Sequence, residues 1–211
     1  MPVVQSDEAS NAVTRTMVVP VAKQKAVGQD KYAALRELSA LAARDPAAAL
    51  AAALKLPAGD ERNEALTTVC SGMAQTDPAE AVKLAQVLQL DKQPGAVMGD
   101  LVQQWAGNDL VSTLAWVENQ PTGGQRDELT TRVAYVMSRN DPSDAAELVM
   151  SEIPPGSAQD EAIMTVLHQW ANQNFVAAAN WAKDTIGGPL QERALNELNG
   201  ILDYQHALAQ Q

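Results

Sequence analysis

The sequence is poor in the residues that build disulfide frameworks, β-sheets and metal sites. Cys70 is the single cysteine among 211 residues, so no disulfide can form within the chain. Aromatic residues make up only 4%, with one phenylalanine, which argues against a sheet because strands favour aromatic and β-branched side chains. Two histidines occur, and neither has a metal-ligand spacing to another Cys or His. The composition predicts helices, with no metal site and no cofactor.

Positive charge is also scarce. The chain has 15 Lys and Arg against 26 Asp and Glu, for a net charge of −11. Nucleic acid is therefore excluded as an expected partner, because phosphate binding requires a basic surface. No apolar run approaches the roughly 20 residues that span a bilayer, so no membrane insertion is expected. Nothing in the composition predicts an oligomeric state.

What the chain does contain is a repeated phrase. Asp45, Asp77, Asp109 and Asp141 follow one another at equal intervals, and Asn174 comes after an interval that is only slightly longer. Proline follows the first, second and fourth of these positions. Apolar side chains recur four and seven residues before each of them, which is the spacing of one helix face. These side chains are Leu41, Met73, Trp105, Met137 and Trp170 at the nearer position, and Leu38, Cys70, Val102, Ala134 and Leu167 at the farther one.

The Asp-Pro pair is predicted to be a junction between two helices. An Asp side chain can cap the second helix, and Pro suits the first helical position, where its missing N–H costs nothing. Pro also disfavours the α conformation of the residue before it, which ends the first helix. A second apolar stripe lies five and seven residues after the Asp. The predicted first helices are 29–44, 60–75, 94–107, 124–139 and 158–172, the second helices are 46–55, 78–90, 110–119, 142–152 and 175–185, and a final helix is 189–206.

No single hairpin of this length buries enough apolar surface alone, so the units are expected to stack. The predicted fold is an all-α, right-handed α-solenoid of about five 32-residue helical hairpins plus a C-terminal capping helix. Its repeat domain covers 29–206, and 207–211 form a tail. Residues 1–28 are expected to be a flexible segment, either a tether or a peptide that docks onto a surface such as a neighbouring chain's groove.

The repeat unit resembles the tetratricopeptide-repeat-like superfamily of α-solenoids, although its period is about two residues shorter and the Trp-x-x-Leu-Gly-x-x-Tyr pattern does not occur. It is more similar to helical-hairpin repeats of bacterial cell-envelope proteins, which read roughly Trp-Ala-x-x-Asp-Pro. The matching stretches include "WAGND" at 105–109, "WANQN" at 170–174 and "LPAGDERNEAL" at 56–66. The resemblance covers about 29–200. It implies the architecture, favours the bacterial periplasm or cell envelope over the cytoplasm, and implies no activity.

No catalytic residues are predicted. Cys70 lies on the apolar stripe and is expected to be a buried core residue, and the repeated aspartates are expected to be helix caps. The tryptophans occupy matching positions in two repeats, so burial is expected for Trp105 and Trp170. An exposed aromatic platform for carbohydrate or peptide is the alternative.

One line of polar side chains on the first helices is a candidate binding surface. It lies beside the apolar stripe, and in stacked hairpins the first helices usually line the concave face. The strongest candidates are Gln103, Arg132, Tyr135, Arg139 and His168. Two arginines near a tyrosine suit a carboxylate, such as an acidic or C-terminal peptide segment. The alternative is that both arginines pair with nearby acids such as Glu128.

The predicted function is a non-enzymatic scaffold that binds a protein or peptide partner on the concave face. The alternative function is an accessory or enzymatic subunit that acts on cell-envelope glycan through tryptophans and carboxylates.

Overall fold

The structure, a computed structural model, describes residues 21–92 and 97–209. Within them it contains only helices, which confirms the predicted all-α class. The helices are α1 Val21–Ala42, α2 Pro46–Leu54, α3 Asp60–Met73, α4 Pro78–Val87, the 3-10 helix η1 Leu90–Lys92, α5 Val97–Asn108, α6 Leu110–Glu118, α7 Gly124–Met137, α8 Pro142–Glu152, α9 Ser157–Thr185 and α10 Gly188–Ala209.

The N-terminal helix begins earlier than the sequence pattern predicts. α1 starts at Val21 rather than near residue 29, because "VAKQKAVG" has no apolar period but is rich in good helix formers. Of the described residues, 21–37 belong to one compact unit and those from 38 onward to another, and all packing described below lies within the second unit. The rest of the predicted N-terminal segment and the predicted start of the third first helix at residue 94 lie outside the described residues.

The sequence predicts that the repeated Asp caps the second helix, and it does so at three of its four positions. The carboxylates of Asp45, Asp77 and Asp109 accept backbone N–H bonds of 2.9, 3.0 and 3.0 Å from the residue three positions later. Their backbones share one extended conformation, with φ between −146° and −143°. Asn174 caps in the same way, at 3.0 Å to the N–H of Ala177. The same junction therefore recurs at the predicted intervals.

The last two junctions depart from the pattern in different ways. Asp141 makes no side-chain cap bond, so the prediction of a cap is wrong there, and its φ of −128° differs from that of the other three aspartates. Asn174 lies inside α9 at φ −152°, so the predicted break is a kink in a hydrogen-bonded helix. Phe175 follows Asn174, where the first, second and fourth repeats have Pro and the third has Leu110.

Glycines start three of the first helices in a conformation that other residues rarely adopt. Gly59, Gly123 and Gly156 precede α3, α7 and α9 at φ +143°, +140° and +150°. Each carbonyl accepts the N–H of the residue four positions later at 3.0 Å. Each glycine also stands the same number of positions before the Asp or Asn that ends its first helix. The glycine turn between repeats therefore recurs at a fixed distance from the Asp or Asn junction within each repeat.

The predicted core stripe of the first helices is buried at six of its ten positions, and Leu38, Leu41, Met73 and Met137 are half-buried. Cys70, Val102, Ala134 and Leu167 have no exposed surface, and Trp105 and Trp170 are 7% and 8% exposed. The predicted burial of these two tryptophans is confirmed. Each tryptophan contacts the half-buried tryptophan of its own second helix, with ring centroids 5.8 Å apart in Trp105–Trp116 and 6.1 Å apart in Trp170–Trp181.

The second helices bury a different stripe from the predicted one. Side chains five and seven residues after the Asp are in many repeats only half-buried, and Ala52 is exposed. The deepest positions come four and eight residues after it and carry small side chains, because small residues let neighbouring helices approach closely. These residues are Ala49, Ala81, Thr113, Ala145 and Ala178, followed by Ala53, Ala85, Val117, Val149 and Ala182.

Helix contacts repeat along the chain. α3 contacts α5, α5 contacts α7 and α7 contacts α9, so first helices lie beside one another. Each of α2, α4, α6 and α8 also contacts the first helix that follows it, and α10 packs on α9. Gly72 marks a close approach, because a Cβ there would lie 2.4 Å from the carbonyl oxygen of Ser39. Glutamines bridge other neighbours: Gln104 donates to the carbonyl of Ala74 at 2.7 Å, and Gln173 donates to that of Ser138 at 2.9 Å.

The capped and uncapped aspartates form a matched pair for mutation. We expect Asp77→Ala to lower the free energy of unfolding by about 1 kcal/mol, because an N–H at the start of α4 loses its acceptor. Asp141→Ala should lower the free energy of unfolding by only a few tenths of a kcal/mol, because no cap bond is lost. Urea denaturation of both variants measures the difference, and equal losses would show that the cap bond is not what stabilises the junction.

Candidate functional site

An open groove crosses the exposed side of three first helices. Its volume is about 510 Å³, and it is lined by Gln103 from α5, by Thr131, Arg132 and Tyr135 from α7, and by Thr165 from α9. All five side chains are half-buried. The structure thus places three of the five predicted binding residues, Gln103, Arg132 and Tyr135, around one space. Thr131 was missed because it lies one position off the predicted line.

The groove offers both apolar surface and hydrogen-bonding groups. The hydroxyls of Thr131 and Thr165 each donate to the carbonyl four residues earlier at 2.9 Å, so they present a methyl group and an acceptor oxygen. Gln103 accepts from Arg132 through Oε1 at 3.4 Å, which leaves its two amide N–H groups for a ligand carbonyl. Tyr135 adds an amphipathic ring. Such a lining suits a peptide, which carries apolar side chains and regularly spaced carbonyls.

Arg132 is surrounded by acids and by a glycine. Its guanidinium lies 3.7 Å from a carboxylate oxygen of Asp100 and 3.8 Å from one of Glu128. A Cβ on Gly99 would lie 3.1 Å from its Nε, so the absence of a side chain there lets the arginine rest on α5. Arg132 therefore lies at ion-pair distance from Glu128, as the alternative interpretation of the sequence expected.

Arg139 lies just after α7 and beside the groove-lining tyrosine. Its guanidinium carbon is 5.5 Å from the centre of the Tyr135 ring, within the range of a cation–π contact. Its side chain is exposed, and it makes no ion pair with the described residues. Arg139 is thus a more available cation than Arg132, although it does not line the groove itself.

His168 is not brought into the groove. Its Nε2 lies 2.9 Å from a carboxylate oxygen of Glu197 on α10. Arg193 joins the same cluster by bonding Glu197 at 2.7 Å and both oxygens of Glu161 at 2.5 and 3.1 Å. These hydrogen bonds from Arg193 lower the pKa of Glu161 and of Glu197, and they raise the pKa of Arg193 itself. The cluster links α9 to α10, so it gives His168 a role in holding the last helix.

Cys70 and the tryptophans belong to the core rather than to a surface. The thiol of Cys70 is fully buried, and burial raises its pKa from 9.0 to about 11. At neutral pH it is protonated and packs like a small apolar side chain. The described parts of the chain contain no group of three or more His, Cys, Asp and Glu able to hold a metal ion. None of the described helices is both long and apolar enough to cross a membrane.

A second cavity lies near the turn before α7 and is much smaller. Its volume is about 40 Å³, and Trp116, Gln120 and Arg126 are among the residues that line it. Arg126 pairs with Glu152, while its buried Nε has no hydrogen-bond partner. A space of this size holds only a few water molecules, so it is not a candidate site for a peptide.

Comparison with known proteins gives no relative for this groove. No family model, no curated protein and no solved structure matches the chain. Function must therefore be inferred from the residues themselves.

The buried thiol makes stability depend on pH in a defined direction. The unfolded chain loses the Cys70 proton near pH 9, whereas the folded chain keeps it until about pH 11. Between these values the unfolded state binds fewer protons, so stability falls as the pH rises, by up to about 2–3 kcal/mol. Cys70→Ala should lack this contribution. Urea denaturation at pH 7, 9 and 11 measures it, and a pH-independent difference between parent and variant would contradict it.

Proposed function

We propose that residues 38–209 form a right-handed α-solenoid that binds a protein or peptide segment and catalyses no reaction. The recurring contacts between successive first helices support this architecture, as do the caps and turn glycines at fixed intervals. In stacked helical hairpins, side chains from neighbouring repeats combine into one extended surface. The first helices would then form the concave face, and α10 would close the end of the stack.

The groove is the observation that carries the proposal. Five half-buried side chains from three neighbouring first helices line one open space. Their chemistry is mixed, with an aromatic ring, two threonine methyls, amide N–H donors and a guanidinium. A peptide matches this mixture because its backbone accepts hydrogen bonds while its side chains fill apolar surface.

The alternative of a subunit acting on cell-envelope glycan has less support. It depended on tryptophans exposed as a sugar platform, but Trp105 and Trp170 are only 7% and 8% exposed. Trp116 and Trp181 are half-buried, and each packs against the buried tryptophan of its own repeat. Both tryptophan pairs therefore belong mainly to the core, which argues against a sugar platform.

The groove residues can be tested with a random nonapeptide library displayed on phage. Peptides enriched on the parent protein are synthesised, and their affinities are measured by fluorescence anisotropy. We expect the double change Arg132→Ala with Arg139→Ala to weaken binding at least about tenfold, because Arg139 loses a charge-assisted hydrogen bond worth roughly 1.5–3 kcal/mol and the groove loses the part of its wall that Arg132 forms. Tyr135→Ala should weaken binding as well, because it removes the aromatic wall of the groove.

The matched control is Lys55→Ala with Lys83→Ala, which removes the same charge from exposed positions outside the groove. Lys83 pairs with exposed Glu80, and such surface pairs contribute little to stability. The control should bind the selected peptides like the parent. If no peptide is enriched, or if the groove variants and the control bind equally, the groove is not a peptide site. Urea denaturation of each variant separates lost binding from lost folding.

A further inference from the structure

The charges around the groove are sorted along α7. Glu128 lies near the start of this helix, Arg132 in its middle and Arg139 just beyond its end. Asp100 on α5 joins the acidic end, because its carboxylate and that of Glu128 are both within 4 Å of the Arg132 guanidinium. The side chains of Asp100 and Glu128 are 76% and 54% exposed, so a ligand can reach both.

The two ends of this arrangement have opposite net charge. At the acidic end, two carboxylates face one guanidinium, which leaves one negative charge uncompensated within the cluster. At the other end, Arg139 contacts the Tyr135 ring and makes no ion pair with any described residue. A ligand lying along α7 would therefore meet two carboxylates at one end and a guanidinium at the other.

Arg132 is a poor centre for binding an anion. It rests on α5 in the space that Gly99 leaves free, and two carboxylates flank it. A ligand carboxylate approaching it would also approach Asp100 and Glu128 and would be repelled by both. This geometry disfavours a purely acidic ligand centred on Arg132.

We propose that the groove selects a dipolar peptide segment, with a basic side chain at Asp100–Glu128 and an acidic side chain at Tyr135–Arg139. This proposal rests on the peptide-binding function and names its ligand class. Glu128 and Arg139 are separated by about 16 Å along the helix, at roughly 1.5 Å per residue. An extended peptide advances roughly 3.3 Å per residue, so its basic and acidic residues are about five positions apart.

Three phage libraries test the ligand class, each with two fixed residues and four random positions, X, between them. Their fixed ends are Lys-X4-Glu, Glu-X4-Glu and Lys-X4-Lys. On the parent protein, Lys-X4-Glu should be enriched about tenfold over either single-sign library. For each library, enrichment on the parent protein is divided by enrichment on the Tyr135→Ala variant, which corrects for binding outside the groove.

Charge-neutral variants then assign each end of the ligand. In Asp100→Asn with Glu128→Gln, the preference for Lys should disappear and Glu-X4-Glu should bind as well as Lys-X4-Glu. In Arg139→Gln, the preference for Glu should disappear while the preference for Lys remains. These paired losses are the coupling expected for direct contacts.

The results separate this inference from the function on which it rests. Enrichment of Glu-X4-Glu over Lys-X4-Glu on the parent would overturn the dipolar ligand and leave an acidic peptide as the partner class. Equal enrichment of all three libraries over Tyr135→Ala would also overturn it while keeping the peptide groove. If no library is enriched over Tyr135→Ala, the proposed peptide-binding function itself fails.

Discussion

Between the two helices of each repeat, one residue leaves the helical conformation, and the arrangement of the described helices depends on the position of that residue. At Asp45, Asp77 and Asp109 the backbone is extended, and the carboxylate satisfies an N–H group at the start of the next helix. A helix end without such a partner would leave backbone donors unsatisfied. Because this junction returns at a constant interval along the chain, the first helices present the same faces to one another. The groove follows from that alignment, since its walls come from three successive first helices.

Small side chains set the spacing between neighbouring helices. The second helices meet their neighbours through alanine, valine and a single threonine, Thr113, whose hydroxyl donates to the Asp109 carbonyl at 2.6 Å. Larger side chains would hold the helices farther apart, and the groove would widen with them. Long polar side chains also bridge neighbouring helices, as Gln104 and Gln173 do through hydrogen bonds to backbone carbonyls. The spacing between helices is thus adjusted by side-chain size at a few positions.

The helical class, the junctions and the burial of Trp105 could be predicted from the sequence because they depend on local chemistry. Caps, proline and a helical apolar period act within a few residues of one another. The deep stripe of the second helices was harder to predict, because alanine carries little signal in a chain so rich in it. Among the partners of the polar residues, the sequence offered only Glu128 for Arg132, as an alternative, because the two lie one helical turn apart. The pairing of His168 with Glu197, and the placement of Arg132 between Asp100 and Glu128, depend on which helices lie side by side. Three candidate residues therefore meet in the groove, while Arg139 and His168 lie outside its lining.

The most direct test of the repeat architecture is whether a chain still folds after one whole repeat has been removed. Deleting residues 78–109 joins Asp77 to Leu110, so the first helix α3 is followed by the second helix α6 with the junction intact. If the units stack by a common pattern, this chain should keep the parent's helix content per residue by circular dichroism and should unfold cooperatively in urea. Deletion of residues 94–109, half a period, should destroy cooperative unfolding because two second helices then follow one another. Equal damage from both deletions would contradict a repeat-based architecture.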